Sequence, residues 1–145
     1  MKNIYGEEIS SYRDIAYKVI NNFYKNGIHP ISFTRTETGC TTILDGYISE
    51  QLYTRGIYTL FKSNTPIYVG SGNIRYRLYR FGKEVLGKSH KQESHAAGKK
   101  YRWKFKEDFT NLTMMFYEYD IPKKELEKIE KHVISIMKPI FNEKI

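Results

Sequence analysis

Apolar residues along this chain recur with two different periods, and the places where the period changes divide it into elements. Tyr12, Ile15, Ala16, Val19, Ile20 and Phe23 fall at helical spacing behind Ser11, which with Asp14 has the form of a capping box. An amphipathic helix is predicted there, ending near Gly27 ahead of His29-Pro30. Residues 31–35 and 41–44 read as short strands around Glu37-Thr38-Gly39. Two apolar-aromatic runs, Gly56-Ile57-Tyr58 and Tyr68-Val69-Gly70, lie either side of Lys62-Ser63-Asn64-Thr65-Pro66, the pattern of a hairpin. Such a hairpin brings Tyr58 close to Tyr68.

Downstream the helical period returns. Ile74, Leu78, Phe81 and Val85 mark a helix that runs through Gly82. Residues 87–93 have the composition of an exposed loop, a basic helix is predicted from about Ser94 to Phe109, and residues 113–119 read as a third strand. The last helix starts near Pro122, with the proline in its first turn, and stops before Pro139. The pattern predicts one α+β domain over 1–145. Its centre is a small, mostly antiparallel sheet made of the 56–70 hairpin and the strand near 113–119, flanked by helices. Residues 53–145 form the core unit; residues 1–52, with their helix and short strands, are an accessory layer whose chemistry is unrecognisable from sequence.

A length of 145 residues suits a single core that is stable without covalent staples, and thirteen Tyr, eight Phe and one Trp argue for packed structure. No apolar run reaches the length of a membrane span, and residues 1–8 lack the apolar stretch of a signal peptide. Cys40 is the single cysteine, which excludes an intrachain disulfide and a cysteine-based zinc site. The expectation is a soluble cytoplasmic protein that does not engage a membrane.

Charge changes the picture more. The net charge is +8, and residues 71–106 hold eleven Lys or Arg against Glu84 and Glu93, so this segment alone is +9. A concentrated basic stretch is the footprint of a polyanion partner. Arg75, Arg80, Lys83, Lys88, Lys91, Lys99, Lys100, Arg102 and Lys104 are the candidate phosphate contacts. Trp103 and the tyrosines at 76, 79 and 101 are candidates for base stacking, with core packing as the more ordinary task.

Few residues stand out as chemistry. On the wheel of the last helix, Glu130 falls within the apolar stripe of Leu126, Ile129, Val133, Ile136 and Met137, whereas Glu125 and Glu127 point elsewhere. A carboxylate facing a core is costly unless it is paired or holds a metal, so Glu130 is either a ligand or half of a salt bridge. Arg77 borders the stripe of its own helix, placed either to reach back to the sheet and hold a phosphate or to sit solvated beside Arg75 and Arg80. Tyr58 and Tyr68 are either cross-strand packing or two phenols supporting a polar site.

Taken together, the tripeptides 56–58 and 68–70, Arg77 seven residues after Gly70, Glu130 nine residues before Pro139, and Asn142 beyond it resemble the GIY-YIG nuclease superfamily. The resemblance spans residues 56–142. It implies a metal-dependent endonuclease hydrolysing phosphodiester bonds of DNA, with Tyr58, Tyr68, Arg77, Glu130 and Asn142 in the catalytic set. Glu130 would hold one divalent cation, Mg2+ with Mn2+ able to substitute. Tyr58 would handle the attacking water, Tyr68 would position groups, and Arg77 would steady the phosphoryl charge, with Arg80 as the second choice for that role. Asn142 would be either structural or in touch with the site.

The chain departs from the family in places. The nine-residue spacer between the tripeptides is short, and Phe81 stands where many members have a His. His90 or His95 is a possible substitute, against the plainer reading of two exposed loop histidines. No second carboxylate is expected beside Glu130, which favours one metal over two. Homing enzymes of this kind append a DNA-binding domain, and none is expected after residue 145. The expectation is therefore a compact restriction, phage or mobile-element endonuclease, acting as a homodimer or tetramer. The alternative is an inactive nucleic-acid-binding module that retains the nuclease fold.

Overall fold

The hairpin is the organising element. In the computed structural model, which describes residues 11–44, 54–88 and 95–142, strands β4 (Arg55–Lys62) and β5 (Thr65–Asn73) pair antiparallel. Ser63 and Asn64 form a two-residue turn, both with positive φ (49° and 67°), as a hairpin twisted in the native sense requires. A register shift between Leu60 and Phe61 accommodates Pro66, which sits on an edge strand where its missing N–H is tolerated.

The remaining elements, in chain order, are α1 (Tyr12–Asn26), β1 (His29–Pro30), β2 (Ser32–Arg35), β3 (Cys40–Ile43), α2 (Ile74–Val85), α3 (Ala96–Phe105), β6 (Leu112–Glu118) and α4 (Lys123–Met137). The fold is α+β. β6 pairs antiparallel with β4, and β1 adds two residues beyond it, giving a sheet of order β1-β6-β4-β5; β2 and β3 form a separate hairpin.

Strand alternation splits the core between the two sheet faces. Ile57, Val69 and Met115 pack with α1 and α4, against Val19, Phe23, Leu126, Ile129 and Val133. Tyr58, Leu60, Met114 and Phe116 face the other way, onto Leu78, Phe81 and Val85 of α2, Tyr101 of α3, and Phe33 of β2. α1 begins on Ser11, whose hydroxyl accepts from the Asp14 amide at 3.1 Å, and ends at Gly27 with φ +87°.

Two boundaries differ from the periodicity. Pro122 stands just outside α4 as its N-cap residue, not within its first turn. α3 stops at Phe105, four residues earlier than expected, because Lys106 turns to φ +59°. Beyond it the Asp108 carbonyl accepts from Tyr101 Oη and from the buried Lys62 Nζ, which fixes the chain as a loop. The accessory strands also contribute β1 to the main sheet. Residues 89–94, which include His90, Lys91, Glu93 and the predicted helix start at Ser94, lie outside the described residues, as do residues 1–8.

β5 is an edge strand, and the chain after α4 covers part of it. Ile140 N donates to Pro66 O (3.3 Å) and Phe141 N to Ile67 O (2.7 Å). Asn142 then clasps Val69 with both ends of its amide, accepting from the backbone N–H (2.8 Å) and donating to the carbonyl (2.9 Å). Further along, Tyr58 lies in register with Gly70, and a Cβ at Gly70 would meet Tyr58 Cζ and Oη at 2.5 Å. Gly56 is similarly boxed in by the Tyr117 carbonyl and Ile74. Both glycines are therefore demanded by close approach. Gly70→Ala should destabilise the fold by about 1–3 kcal/mol, the usual cost of overfilling a packed site. Urea denaturation measures this, and an unchanged midpoint would show that the Tyr58 ring moves aside freely.

Candidate functional site

Three elements converge at the open end of β5. Register puts Tyr58, Tyr68 and Gly70 on the α2 side of the sheet, with the two phenol rings 6.1 Å apart. Ser71 pairs with Ile57, whose side chain belongs to the α1–α4 core, so Ser71 faces α4. α2 starts at once after β5, its N-cap Asn73 accepting from the Tyr76 amide at 2.9 Å. That tight join leaves Arg77 one turn into the helix, with its aliphatic stem packed near Gly72. Its guanidinium sits beside the Tyr68 hydroxyl. Glu130, on α4, lies beside Ser71 on the same cleft. The structure thus brings Tyr58, Tyr68, Arg77 and Glu130 to one place.

Burial shapes the electrostatics. The Tyr58 phenol is fully buried and its acidity is suppressed well beyond the ordinary value, with Arg77 only partly opposing the shift. Its hydroxyl lies beside Arg77 yet has no hydrogen-bond partner in good geometry among the described residues. An orphaned buried hydroxyl costs about 1–3 kcal/mol. Tyr68 is shifted upward for the same reason, again opposed by Arg77. Arg77 itself is pulled down by burial and up by Tyr58, Tyr68 and Glu130; the net shift is upward, so the guanidinium stays charged. Burial raises Glu130 as well, while the neighbouring Ser71 hydroxyl and Arg77 hold it back.

Glu130 opens onto a cleft of about 630 Å³ whose walls include Arg55, Ser71, Arg77, Arg80, Glu127 and Lys131. Glu127, one helical turn before Glu130, lines the same cleft and raises its pKa, which corrects the expectation of a lone carboxylate. No group of three His, Cys, Asp or Glu side chains gathers among the described residues, so they make no all-protein cage for a transition metal. A half-buried carboxylate with a second one nearby in an open cleft does fit Mg2+, which keeps several waters and takes one or two protein carboxylates.

Asn142 gives its oxygen and one N–H to Val69, which is a structural task. His95 overturns its expected exposure. It is the N-cap residue of α3, 4% exposed, with its ring 5.3 Å from Tyr68 and 5.6 Å from Phe81. A Ser-His-Ala-Ala-Gly run preceding a basic helix was the available signal for a cap.

The basic surface also needs revision. Lys83 is buried, its ammonium 5.2 Å from the Tyr79 ring, and is not a surface phosphate contact. Lys99 lies 3.8 Å from buried Glu84, Lys100 donates to the Phe141 carbonyl at 3.0 Å, and Arg102 packs over Gly87. Arg80 lines the Glu130 cleft, Arg75 borders a groove with Thr41 and Tyr79, Lys88 is half-buried, and Lys104 is exposed beside Phe105. Trp103, at 80% exposure, and Tyr76 face solvent instead of the core, whereas Tyr101 is wholly buried. No protein-family model matches this chain, and no curated protein or solved structure matches it significantly.

The raised Glu130 pKa has a definite sign for stability. A carboxyl raised on folding is neutral at low pH at no cost, and it destabilises the fold as pH rises through its folded value. Glu130→Gln should therefore melt higher than wild type at pH 7, with the gain fading below the ordinary carboxyl range of about 4.3. Paired thermal melts at pH 4 and pH 7 check this. A gain equal at both pH values would mean that the charge of Glu130 is not the cause, and a loss at pH 7 would mean that Glu130 is a stabilising partner in the fold.

Proposed function

We propose that this chain is a metal-dependent DNA endonuclease of the GIY-YIG type, hydrolysing phosphodiester bonds. The observation that carries the reading is the meeting of a buried and a half-buried phenol, a charged guanidinium and a half-buried carboxylate at the uncovered end of one edge strand, beside an open cleft. Glu130, with Glu127 nearby, would hold the cation, Mg2+ or Mn2+ in its place. When bound, that ion supplies positive charge to the scissile phosphate and its leaving oxygen.

The other parts belong to the chain's own residues. Arg77, charged and set beside Tyr68, offers a fork of donors to the non-bridging phosphate oxygens and meets the charge that grows on them. A water reaching the unpartnered Tyr58 hydroxyl would satisfy it and be oriented there for in-line attack; the phenol's suppressed acidity keeps it neutral at pH 7. Arg80 at the cleft and the exposed Lys104, Trp103 and Tyr76 would grip the nucleic acid, the cations at phosphates and the rings at bases. With one such site per chain, cutting both strands is simplest for a homodimer or tetramer.

Supercoiled plasmid is the direct test. Wild type should nick or linearise it in Mg2+ and not in chelator. Glu130→Gln should lose cleavage at every Mg2+ concentration, while duplex binding, carried by Lys and Arg elsewhere, persists. Retained Mg2+-dependent cutting by that variant would overturn the mechanism. Binding without cleavage by the wild type would instead establish the inactive binding module.

The binding surface has its own test. Duplex affinity should fall with salt at a log–log slope of about −0.9 per neutralised phosphate. Reversing Lys99 and Lys104 should flatten that slope by up to roughly 0.9 for each phosphate no longer neutralised, on all sequences alike. Lys100 is left in place because it supports the chain at Phe141. An unaltered slope would move the nucleic acid to another face.

A further inference from the structure

Behind Arg77, on the side away from the large cleft, lies a second and smaller pocket of about 160 Å³. It is lined by Tyr68, Arg77, Arg80, Ala96, Ala97 and His95, with Phe141 and Asn142 closing one end. Arg77 and Arg80 border both spaces and are the wall between them.

The chemistry of this pocket is set by which proton His95 carries. Its Nδ1 accepts the Gly98 backbone N–H at 3.2 Å, so Nδ1 holds no proton. The neutral ring must then carry its hydrogen on Nε2. Nε2 is buried and has no hydrogen-bond partner among the described residues. Burial, with Arg77 and Arg80 beside the ring, pushes the His95 pKa down to about 4, so this tautomer persists at neutral pH. The sequence admitted His95 as a stand-in for a missing catalytic histidine. As held here it is a donor of fixed direction and cannot serve as a base through Nε2.

Beside that donor stand two cations and further N–H donors. Arg77 and Arg80 flank it. Ala96 and Ala97 open the ten-residue helix α3, where first-turn N–H groups have no carbonyl within the helix and the dipole favours negative charge. Among the described residues no carboxylate lines the pocket. A buried donor without an acceptor, two guanidiniums and a helix N-terminus together call for an anionic oxygen, and the volume suits one tetrahedral group.

We propose that this pocket is a phosphoryl-binding subsite, in which His95 Nε2–H, Arg80 and the start of α3 hold a strand phosphate next to the one being cut. The assignment to a nucleic-acid strand rests on the nuclease reading above; the affinity for a phosphoryl group does not. Arg77 then touches two neighbouring phosphates from opposite sides, and the subsite positions the strand so that the scissile group meets Glu130 and Tyr58. His95 is in this sense a binding and positioning residue.

The test needs no cleavage. The isotopically labelled full chain is titrated with inorganic phosphate at pH 7, and the histidine ring nitrogens are followed by long-range proton–nitrogen correlation. His95 should show the Nε2–H tautomer at the start, and its Nε2 signal should move saturably with phosphate. His95→Asn keeps a good helix cap, and its amide N–H falls short of the position of Nε2. It should melt close to wild type and bind phosphate about tenfold or more weakly by calorimetry. An Nδ1–H tautomer, no saturable movement of Nε2, or wild-type phosphate affinity in His95→Asn would each overturn the subsite. The first two readings use wild type alone and decide the matter even if the variant does not fold.

A second arm identifies the source of the phosphate. Single neutral methylphosphonates are scanned along a duplex. One position beside the cleavage point should weaken binding to wild type and leave His95→Asn indifferent; sensitivity at no such position overturns the strand assignment. Phosphate bound at His95 by a protein that cuts no DNA would sink the nuclease reading and leave the pocket standing. Cutting with no phosphate response would do the reverse.

Discussion

The Tyr58 ring lying on Gly70 is the constraint to which the rest of the site is referred. Any side chain at Gly70 would occupy the space of the phenol, so this one cross-strand pair fixes both the rotamer of Tyr58 and the approach of β5 to β4. Once that register is set, pleating decides the remainder. Tyr68 falls on the same face as Tyr58, Ser71 on the opposite face towards α4, and α2 leaves the strand at Asn73 with Arg77 turned back over Gly72. A slip of one residue would send Tyr68 and Ser71 to each other's sides and dissolve the cluster.

Low dielectric is the second condition. The polar groups are few, and most are sheltered enough that their charges act on one another and not on water. Arg77 is the centre of that arrangement. It is the cation opposing the upward shifts of Tyr58, Tyr68 and Glu130, and it also depresses His95 from the other side. One guanidinium therefore couples a phenol pair, a carboxylate and an imidazole that come from four different elements.

Much of this was legible from residue order. The hairpin, both flanking helices and the cap at Ser11 follow from period and turn chemistry, because each is decided within a few residues. Glu130 could be singled out because one charge within an apolar stripe is a local contradiction. What escaped depends on packing between distant segments. The burial of His95 is caused by Tyr68 and Phe81, neither of them near it in sequence. Lys83 looked like any lysine of a basic helix until Tyr79 and the β2–β3 hairpin covered it. The early end of α3 turns on Lys62, more than forty residues upstream, claiming the Asp108 carbonyl. Glu127 was missed for a simpler reason: a helix wheel assigns angles, and a cleft wider than one stripe admits residues from beside it.

The clasp of Asn142 on Val69 joins positions 73 residues apart. A ribosome delivers β4 and β5 long before it delivers the segment that covers their edge. During that interval the Pro66–Val69 stretch offers unpaired carbonyls and amides to any neighbouring strand, including the same stretch of another nascent chain. The same late segment follows directly on α4. Sealing the edge and seating the helix that bears Glu130 are thus one event, and the chain passes through synthesis without a finished site.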